Sequence, residues 1–184
     1  ATLVSDSGRD LASAWAIARG GAYPAYGPEL FETWKLGPVW FWWLALPLAL
    51  GGGVAGAALF VGAISAAKIP LAFALGARLR DQRLGLLLAA FAAWPGWNGV
   101  SAMLVMHTAV VEAAAFATLL FALRAWQRRS AADSMLAALS LALALHAHPT
   151  ALITAPAVAA GAMRAVWAPS PSGRLRWWLL PACA

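Results

Sequence analysis

Long apolar stretches alternate with short polar segments over most of this chain. One of them, Ser101–Leu123, holds about 23 residues, enough for a helix that crosses a hydrocarbon core of about 30 Å. The pattern therefore predicts an all-α fold, a polytopic membrane helix bundle. The four longest stretches are Val54–Ala77, Leu84–Trp94 running on to Gly99, Ser101–Leu123, and Met135–Val166.

The fourth stretch is interrupted near its middle. Its length of about 32 residues is more than one crossing needs, and His146, His148 and Pro149 stand at its centre. Because proline removes a backbone donor and clashes with the preceding turn, we predict two short helices that meet at this break. A further apolar segment begins at Trp177.

A fifth apolar run, Pro38–Leu50, is shorter than the others. As a helix its roughly 13 residues cover about 20 Å, which is too little to span a bilayer alone. Its aromatic residues, Trp40 to Trp43, favour a helix that lies in the interface or re-enters the membrane. The Gly51–Gly53 triplet after it predicts a hinge into the first crossing.

Basic residues occur in three clusters between the apolar stretches. Each pair of clusters brackets one out-and-back hairpin, so all three clusters are expected on one side of the membrane. The positive-inside rule makes that side cytoplasmic. If Pro38–Leu50 does not span, the N-terminal segment and its juxtamembrane helices lie outside; if it did span, the N-terminal segment would be cytoplasmic. The clusters are Arg78, Arg80 and Arg83; Arg124, Arg128 and Arg129; and Arg164, Arg174 and Arg176.

Three regions follow from these patterns. Residues 1–37 form an external acidic loop, residues 38–53 an interfacial or re-entrant aromatic helix with its hinge, and residues 54–184 a transmembrane helix bundle that we expect to be incomplete. The expected location is the inner (plasma) membrane, with several crossings.

Composition agrees with lipid as the surrounding solvent. Hydrophobic residues make up 62% of the chain and charged residues 11%, whereas soluble domains average about 25% charged residues. The formal net charge of +6 comes from basic residues between apolar stretches, so membrane topology explains it and we expect no nucleic-acid partner. The single cysteine, Cys183, leaves no disulfide within these residues and no cysteine metal site.

Polar residues concentrate in the N-terminal 37 positions, and two interpretations of them stay open. One is an acid/base or metal-binding carboxylate site with cations for a phosphate; the other is an ordinary solvated loop. Asp6 and Asp10 are four residues apart, so a helix that starts near Ser7 would hold both on one face. The charged residues are Asp6, Asp10, Glu29 and Glu32 with Arg9, Arg19 and Lys35.

Several polar residues interrupt the apolar stretches. Lys68, beside Pro70, is either functional or an ordinary bundle-facing lysine. For Glu112 we favour pairing within the bundle, and we expect His107 to be a satisfied buried histidine. His146 and His148 are two residues apart, which is poor spacing for a helical metal site, so a structural polar break that faces outward is the better interpretation.

Five short motifs follow one another in the N-terminal region: SDSGRD at 5–10, AIARGG at 16–21, YP at 23–24, GP at 27–28, and KLGPVWFW at 35–42. This series resembles the first external loop of superfamily C glycosyltransferases, of the protein O-mannosyltransferase and aminoarabinose transferase type. Later in the chain, ARLR at 77–80 looks like the first cytoplasmic turn of that family, and LHAHPTAL at 145–152 resembles a polar break that it often carries.

The resemblance implies an enzyme that transfers a sugar from a polyprenyl-phosphate carrier to an acceptor on the external face. It implies that Asp6 is the base that deprotonates the acceptor or helps to hold it, and that Lys35 contacts the carrier phosphate. Many members have Asp-Glu where this chain has Asp6-Ser7, so it stays open whether Asp10 supplies the second carboxylate. The family also has a preceding helix, later helices and an external domain, so we expect this chain to be an N-terminal fragment.

Other residues compete for these roles. Arg9 and Arg19 are alternative cations, Glu29 and Glu32 are alternative carboxylates, and the outward break brings His146 and His148 within reach of a substrate phosphate. The cofactor is unknown, with a divalent metal possible, and the expected partners are a polyprenyl-phosphate-linked sugar and membrane lipid. The alternative functions are a transporter-like module with Lys68 and Glu112 on its pathway, and a non-catalytic membrane scaffold.

Overall fold

The computed structural model describes residues 5–21, 23–30, 34–94 and 105–167. Within these ranges the chain is largely helical, and one two-stranded antiparallel hairpin lies near its N-terminus, which confirms the all-α prediction. The elements are α1 (Ser5–Ala18), β1 (Glu29–Leu30), β2 (Trp34–Lys35), α2 (Val39–Ala49), α3 (Gly53–Ala66), α4 (Lys68–Leu79), α5 (Gln82–Ala93), α6 (Val111–Arg128), α7 (Ala131–Ala147) and α8 (Ala155–Val166), with 3-10 helices at His107–Val110 and Pro149–Thr154.

Three helical runs are long and apolar enough to cross a membrane: Gly53–Leu79, His107–Arg128 and Pro149–Val166. Their outer surfaces and that of α5 carry large apolar side chains, such as Phe91 and Ile153, which are 80% and 85% exposed. Exposing such an apolar surface to water costs free energy, whereas contact with lipid hydrocarbon does not. The helices α2, α5 and α7 are apolar but shorter.

The first long apolar run follows its predicted range closely and is interrupted beside its proline. α3 and α4 together form one run with a turn at Ala67. Pro70 has no N–H to donate to the carbonyl of Ala66, four residues earlier, so the helix is interrupted at that point. Beyond the turn, the N–H of Leu71 donates to the Ala67 carbonyl at 3.2 Å and the helix resumes.

The helix of the third apolar stretch differs from its predicted range. The third apolar stretch was predicted to start at Ser101 and end at Leu123, but its helical run covers His107–Arg128. The helix extends through the basic cluster because arginine and glutamine are good helix formers, and it ends where Arg129 adopts a left-handed backbone with φ 54°. In the second stretch, α5 ends at Ala93, and residues 95–104 lie outside the described ranges.

The break in the fourth stretch is confirmed. α7 ends at Ala147, and a 3-10 helix, Pro149–Thr154, leads into α8. The side chain of His148 caps the 3-10 helix by accepting a hydrogen bond from the N–H of Thr150 at 3.3 Å. Proline at the first helical position suits this arrangement because its missing N–H would have no helical acceptor.

The short aromatic run forms α2, an 11-residue helix of about 16 Å. One face of α2 is buried against α1 and α7, and Trp40, Phe41 and Leu44 are the large residues on that face. The predicted glycine hinge is also present, since Gly51 and Gly53 have φ values of +80° and +56°, which side chains rarely adopt.

The basic clusters meet at one end of the bundle, as predicted. Arg78 Nη1 donates to Oε1 of Gln127 at 3.4 Å, and Arg164 Nε donates to the carbonyl of Trp126 at 2.9 Å. Arg124 pairs with the buried Asp133, Nε to Oδ1, at 2.9 Å. We call this the arginine end; Arg174 and Arg176 of the third cluster, and the apolar segment from Trp177, lie outside the described residues.

The opposite end is where the N-terminal region joins the bundle. Leu11 of α1, Trp40 of α2, Val110 of the first 3-10 helix and Ala147 of α7 belong to one buried cluster. α6, which leads from the first 3-10 helix to the arginine end, is 18 residues long, so the two ends are about 27 Å apart. We call this the loop end.

Gly37 lies where the N-terminal hairpin reaches the bundle. A β-carbon at this position would overlap the imidazole ring of His146 at the end of α7. Nearby, the N–H of Gly27 donates to the Leu36 carbonyl at 2.7 Å, which ties the hairpin to the same segment. The absence of a side chain at Gly37 therefore lets the hairpin and α7 pack closely.

Gly37→Ala should lower the unfolding temperature of the purified protein by several degrees, since overpacking a close contact costs about 1–3 kcal/mol. Gly62→Ala is the matched control, because a β-carbon at Gly62 has open space around it. Thermal unfolding in mild detergent measures both. Equal unfolding temperatures for the two variants would contradict the close packing of Gly37 on His146.

Candidate functional site

The first turns of α1 carry polar residues on the face that packs on the bundle. Ser7, Asp10, Ala14 and Ile17 recur at helical spacing and are all buried. Asp6, one residue before this stripe, lies at its edge and its side chain is 54% exposed. The sequence pattern thus buries one aspartate of the pair and leaves the other at the surface.

Asp10 is held by two partners although it is only 1% exposed. Its Oδ2 accepts a hydrogen bond from Trp40 Nε1 at 2.8 Å, and its Oδ1 accepts from Arg9 Nε and Nη2 at 3.0 and 2.8 Å. A buried carboxylate needs such partners because an unpaired buried charge is very costly. The bond from Trp40 connects α1 to α2 across 30 residues of sequence.

Arg9 connects the two aspartates. Its Nη1 lies 3.5 Å from Oδ1 of Asp6, while its other nitrogens bond to Asp10. The predicted helix therefore brings Asp6 and Asp10 to one guanidinium. The side chain of Arg9 is 42% exposed, and a guanidinium has five N–H donors, so donors remain that face solvent beside Asp6.

His107 extends the polar cluster into the bundle. Its Nδ1 lies 3.9 Å from Oδ2 of Asp10, and its ring meets Trp40 edge-on with centroids 6.4 Å apart. The histidine is buried as predicted, but within the described part of the chain its Nδ1 has no hydrogen-bond partner. Burial is thus confirmed, but hydrogen bonding of Nδ1 is not found among these residues, because 3.9 Å from Asp10 is too long for a hydrogen bond.

His148 and His146 reach the same end from α7 but differ in their surroundings. The ring of His148 stacks on His107 with centroids 6.5 Å apart, and its Nδ1 lies 2.9 Å from Oγ1 of Thr150. His146 instead packs on Gly37, and its buried Nδ1 has no hydrogen-bond partner among the residues described. The polar break thus supplies a cap and a packing surface.

The predicted cations of the hairpin and of the end of α1 have partners of their own. Lys35 Nζ lies 3.2 Å from Oε1 of Glu29 and 5.3 Å from the centroid of the Tyr26 ring. The guanidinium of Arg19 lies 5.0 Å from the centroid of the Trp15 ring. Both interactions are with residues close in sequence. That Lys35 or Arg19 shares a site with Asp6 and Asp10 therefore stays a prediction. Glu32 lies outside the described residues.

Lys68 and Glu112 form an ion pair within the bundle, which confirms the pairing expected for Glu112. Lys68 Nζ donates to Oε2 of Glu112 at 2.6 Å, and the lysine side chain is 11% exposed. A cavity of about 280 Å³ lies beside them, lined also by Phe91, Trp94 and Phe116. The attraction between the two opposite charges offsets part of the cost of placing them among apolar helices.

Sequence reasoning missed the partner of Asp10. The sequence pattern places Trp40 in an interfacial aromatic run, yet its side chain is 2% exposed and donates a buried N–H to Asp10. A usable signal was present: a buried tryptophan needs an acceptor, and the nearest predicted element carries aspartates.

No group of three histidine, cysteine, aspartate or glutamate side chains suited to a metal ion occurs within 5–21, 23–30, 34–94 and 105–167. We therefore assign no metal ligand and derive no step through a metal. Comparisons of the chain with protein-family models, curated proteins and solved structures found no match.

Burial lowers the pKa of His148 below its ordinary value of 6.5, and the neighbouring His107 lowers it further. When the pH falls below about 6.5, the folded protein binds fewer protons than the unfolded chain does. The free energy of unfolding should therefore decrease as the pH decreases. His148→Asn keeps a side chain able to cap Thr150 and does not titrate. We predict that lowering the pH from 7.5 to 5.5 reduces the unfolding temperature less in this variant than in wild type; parallel pH profiles would contradict this account.

Proposed function

We propose that the protein is a membrane glycosyltransferase that moves a sugar from a polyprenyl-phosphate carrier to an acceptor outside the cell. The observation that carries this proposal is the pair formed by the exposed carboxylate of Asp6 and the half-exposed guanidinium of Arg9. Both are fixed to the bundle through the buried Asp10 and Trp40. The sequence resemblance of the same segment to a glycosyltransferase loop supports it independently.

The location of the pair suits a lipid-linked substrate. A polyprenyl phosphate keeps its tail in hydrocarbon and its charged head at the surface, so its reaction needs a base and a cation at the membrane boundary. The pair lies at the loop end, opposite the arginine end. If the arginine end is cytoplasmic by the positive-inside rule, the loop end faces outward.

The proposed step is a single displacement at the anomeric carbon of the sugar. An acceptor hydroxyl oxygen forms a bond to that carbon, the bond between the carbon and the phosphate oxygen breaks, and polyprenyl phosphate leaves with the bonding electrons. The hydroxyl proton passes to Asp6, which acts as general base. Free N–H groups of Arg9 stabilise the negative charge that develops on the departing phosphate.

Asp10 has a different role in this proposal from the one the sequence alone allowed. At 1% exposure it has no surface for an acceptor to approach, so we assign it as a positioning residue. Its two hydrogen bonds from Arg9 fix the orientation of the guanidinium, and its bond from Trp40 fixes α1 on the bundle. Prearranged charges of this kind need no reorganisation during reaction.

Lys35 on the hairpin has a supporting role in this proposal. Lys35 is 49% exposed and loosely paired with the equally accessible Glu29, and surface pairs of this type contribute little free energy. Its ammonium is therefore available to a carrier phosphate at low cost. We assign Lys35 to carrier binding, with Arg19 as the alternative cation.

A transporter-like module is the second candidate, and the cavity beside Lys68 and Glu112 is the observation that favours it. In that function the two charges would separate as a polar solute passes. The ion pair at 2.6 Å also has a simpler explanation, since each charge neutralises the other. We therefore rank sugar transfer first.

Asp6→Asn should lower turnover on the order of 100-fold or more while carrier binding survives, because it removes only the base. Membranes that contain the full-length protein are given a panel of radiolabelled polyprenyl-phosphate monosaccharides, and release of label from the lipid is measured. Lys35→Ala should instead raise the KM for the carrier.

Asp81→Asn is the matched control, since Asp81 is an aspartate of similar exposure that lies beside the basic cluster, and asparagine can still cap α5. It should leave turnover within about twofold of wild type, the small effect expected of a change at an exposed pair. Normal turnover in Asp6→Asn would remove that residue from the reaction, and an inactive wild type with every donor would favour the transporter or the scaffold.

A further inference from the structure

An apolar groove opens on the bundle near the arginine end. α4 and α8 pack on either side of α6, and Leu75, Leu79, Leu123 and Trp126 line the space between them together with small residues of α8. Its volume is about 290 Å³. Because Ala157, Ala160 and Gly161 carry little or no side chain, α8 leaves the groove unfilled.

Two arginines flank the groove where it reaches the arginine end. Arg164 follows Gly161 by one turn of α8, and its guanidinium lies 4.5 Å from the centroid of the Trp126 ring. Arg78 precedes Leu79 and bonds to Gln127, the residue after Trp126. Both neighbours of the arginines, Leu79 and Trp126, line the groove.

Among the described residues these two arginines have no carboxylate partner, in contrast to Arg80 and Arg124. Arg80 pairs with Asp81 and Arg124 pairs with Asp133. In the described part of the chain, no carboxylate lies within the 4.0 Å limit of an ion pair from Arg78 or Arg164. Their contacts are a side-chain amide, a carbonyl and a ring, which leave the positive charge uncompensated.

We propose that this groove binds an anionic phospholipid, with one acyl chain along the apolar wall and the phosphodiester against Arg78 and Arg164. Hydrocarbon is the ligand that matches an apolar groove, and a net negative headgroup matches two unpaired guanidinium groups. A zwitterionic headgroup would bring its own ammonium group to a site that is already positive. The proposal depends on the membrane setting of the bundle and is independent of sugar transfer.

Trp126 provides the reporter for a test. The full-length protein is reconstituted into phosphatidylcholine vesicles that contain either brominated phosphatidylglycerol or brominated phosphatidylcholine, with bromine on the acyl chains. Bromine quenches tryptophan fluorescence at short range, and subtracting the signal of Trp126→Phe isolates the groove from the other tryptophans. We expect brominated phosphatidylglycerol to quench this component at concentrations on the order of tenfold lower than brominated phosphatidylcholine.

Loss of the arginines should remove the preference. Arg78→Gln and Arg164→Gln should each reduce it about fivefold, the effect of one basic residue near an anionic lipid surface, while Arg80→Gln removes the same charge from a paired, exposed arginine and should leave it unchanged. Ala157→Leu, which fills the groove, should weaken quenching by both lipids. Equal quenching of wild type by both lipids would overturn the proposal, as would an unquenched Trp126 component, which would indicate that protein covers the groove.

Discussion

The hydrogen bond from Trp40 Nε1 to the carboxylate of Asp10 links the N-terminal region to the helices behind it. Asp10 is buried, so its charge is tolerable only because Arg9 and Trp40 both donate to it. Arg9 is oriented by the same carboxylate and holds Asp6 at the surface. The accessible part of the candidate site therefore depends on a group that no substrate touches.

Charge is distributed unevenly between the two ends of the bundle. The loop end gathers Asp6, Asp10 and three histidines around α1, α2 and the break after α7, whereas the arginine end gathers basic residues from three separate helices. The direction of the helices explains this arrangement. Each of α4, α6 and α8 ends in basic residues, and the three C-terminal ends lie together. The proposed sugar transfer and the proposed lipid site therefore lie at opposite ends.

The apolar stretches and the positions of proline and glycine predicted most of the helices. Proline and glycine located the break at His148 and the hinge at Gly51–Gly53, because each acts through local backbone geometry. Boundaries without such residues were less certain, as the extension of α6 to Arg128 shows. Long helices of good helix formers have no local signal that stops them at the end of an apolar stretch.

The site was predictable in composition and less so in arrangement. The spacing of Asp6 and Asp10 placed both near one helix face, and Arg9 proved to contact both. Which aspartate is buried depends on how α1 packs on α2, a tertiary contact between residues 30 positions apart. The same holds for the overlap of Gly37 with His146, which no local pattern indicates.

A double-mutant cycle between Asp10 and Trp40 tests this account most directly. The free energy of unfolding in mild detergent is measured for wild type, Asp10→Ala, Trp40→Phe and the double variant. If the buried bond anchors the N-terminal region, the two losses should be coupled by about 1.5–3 kcal/mol, the range for hydrogen bonds to charged groups. Strictly additive losses would mean that the two side chains do not interact, and the anchoring role of Asp10 would be contradicted.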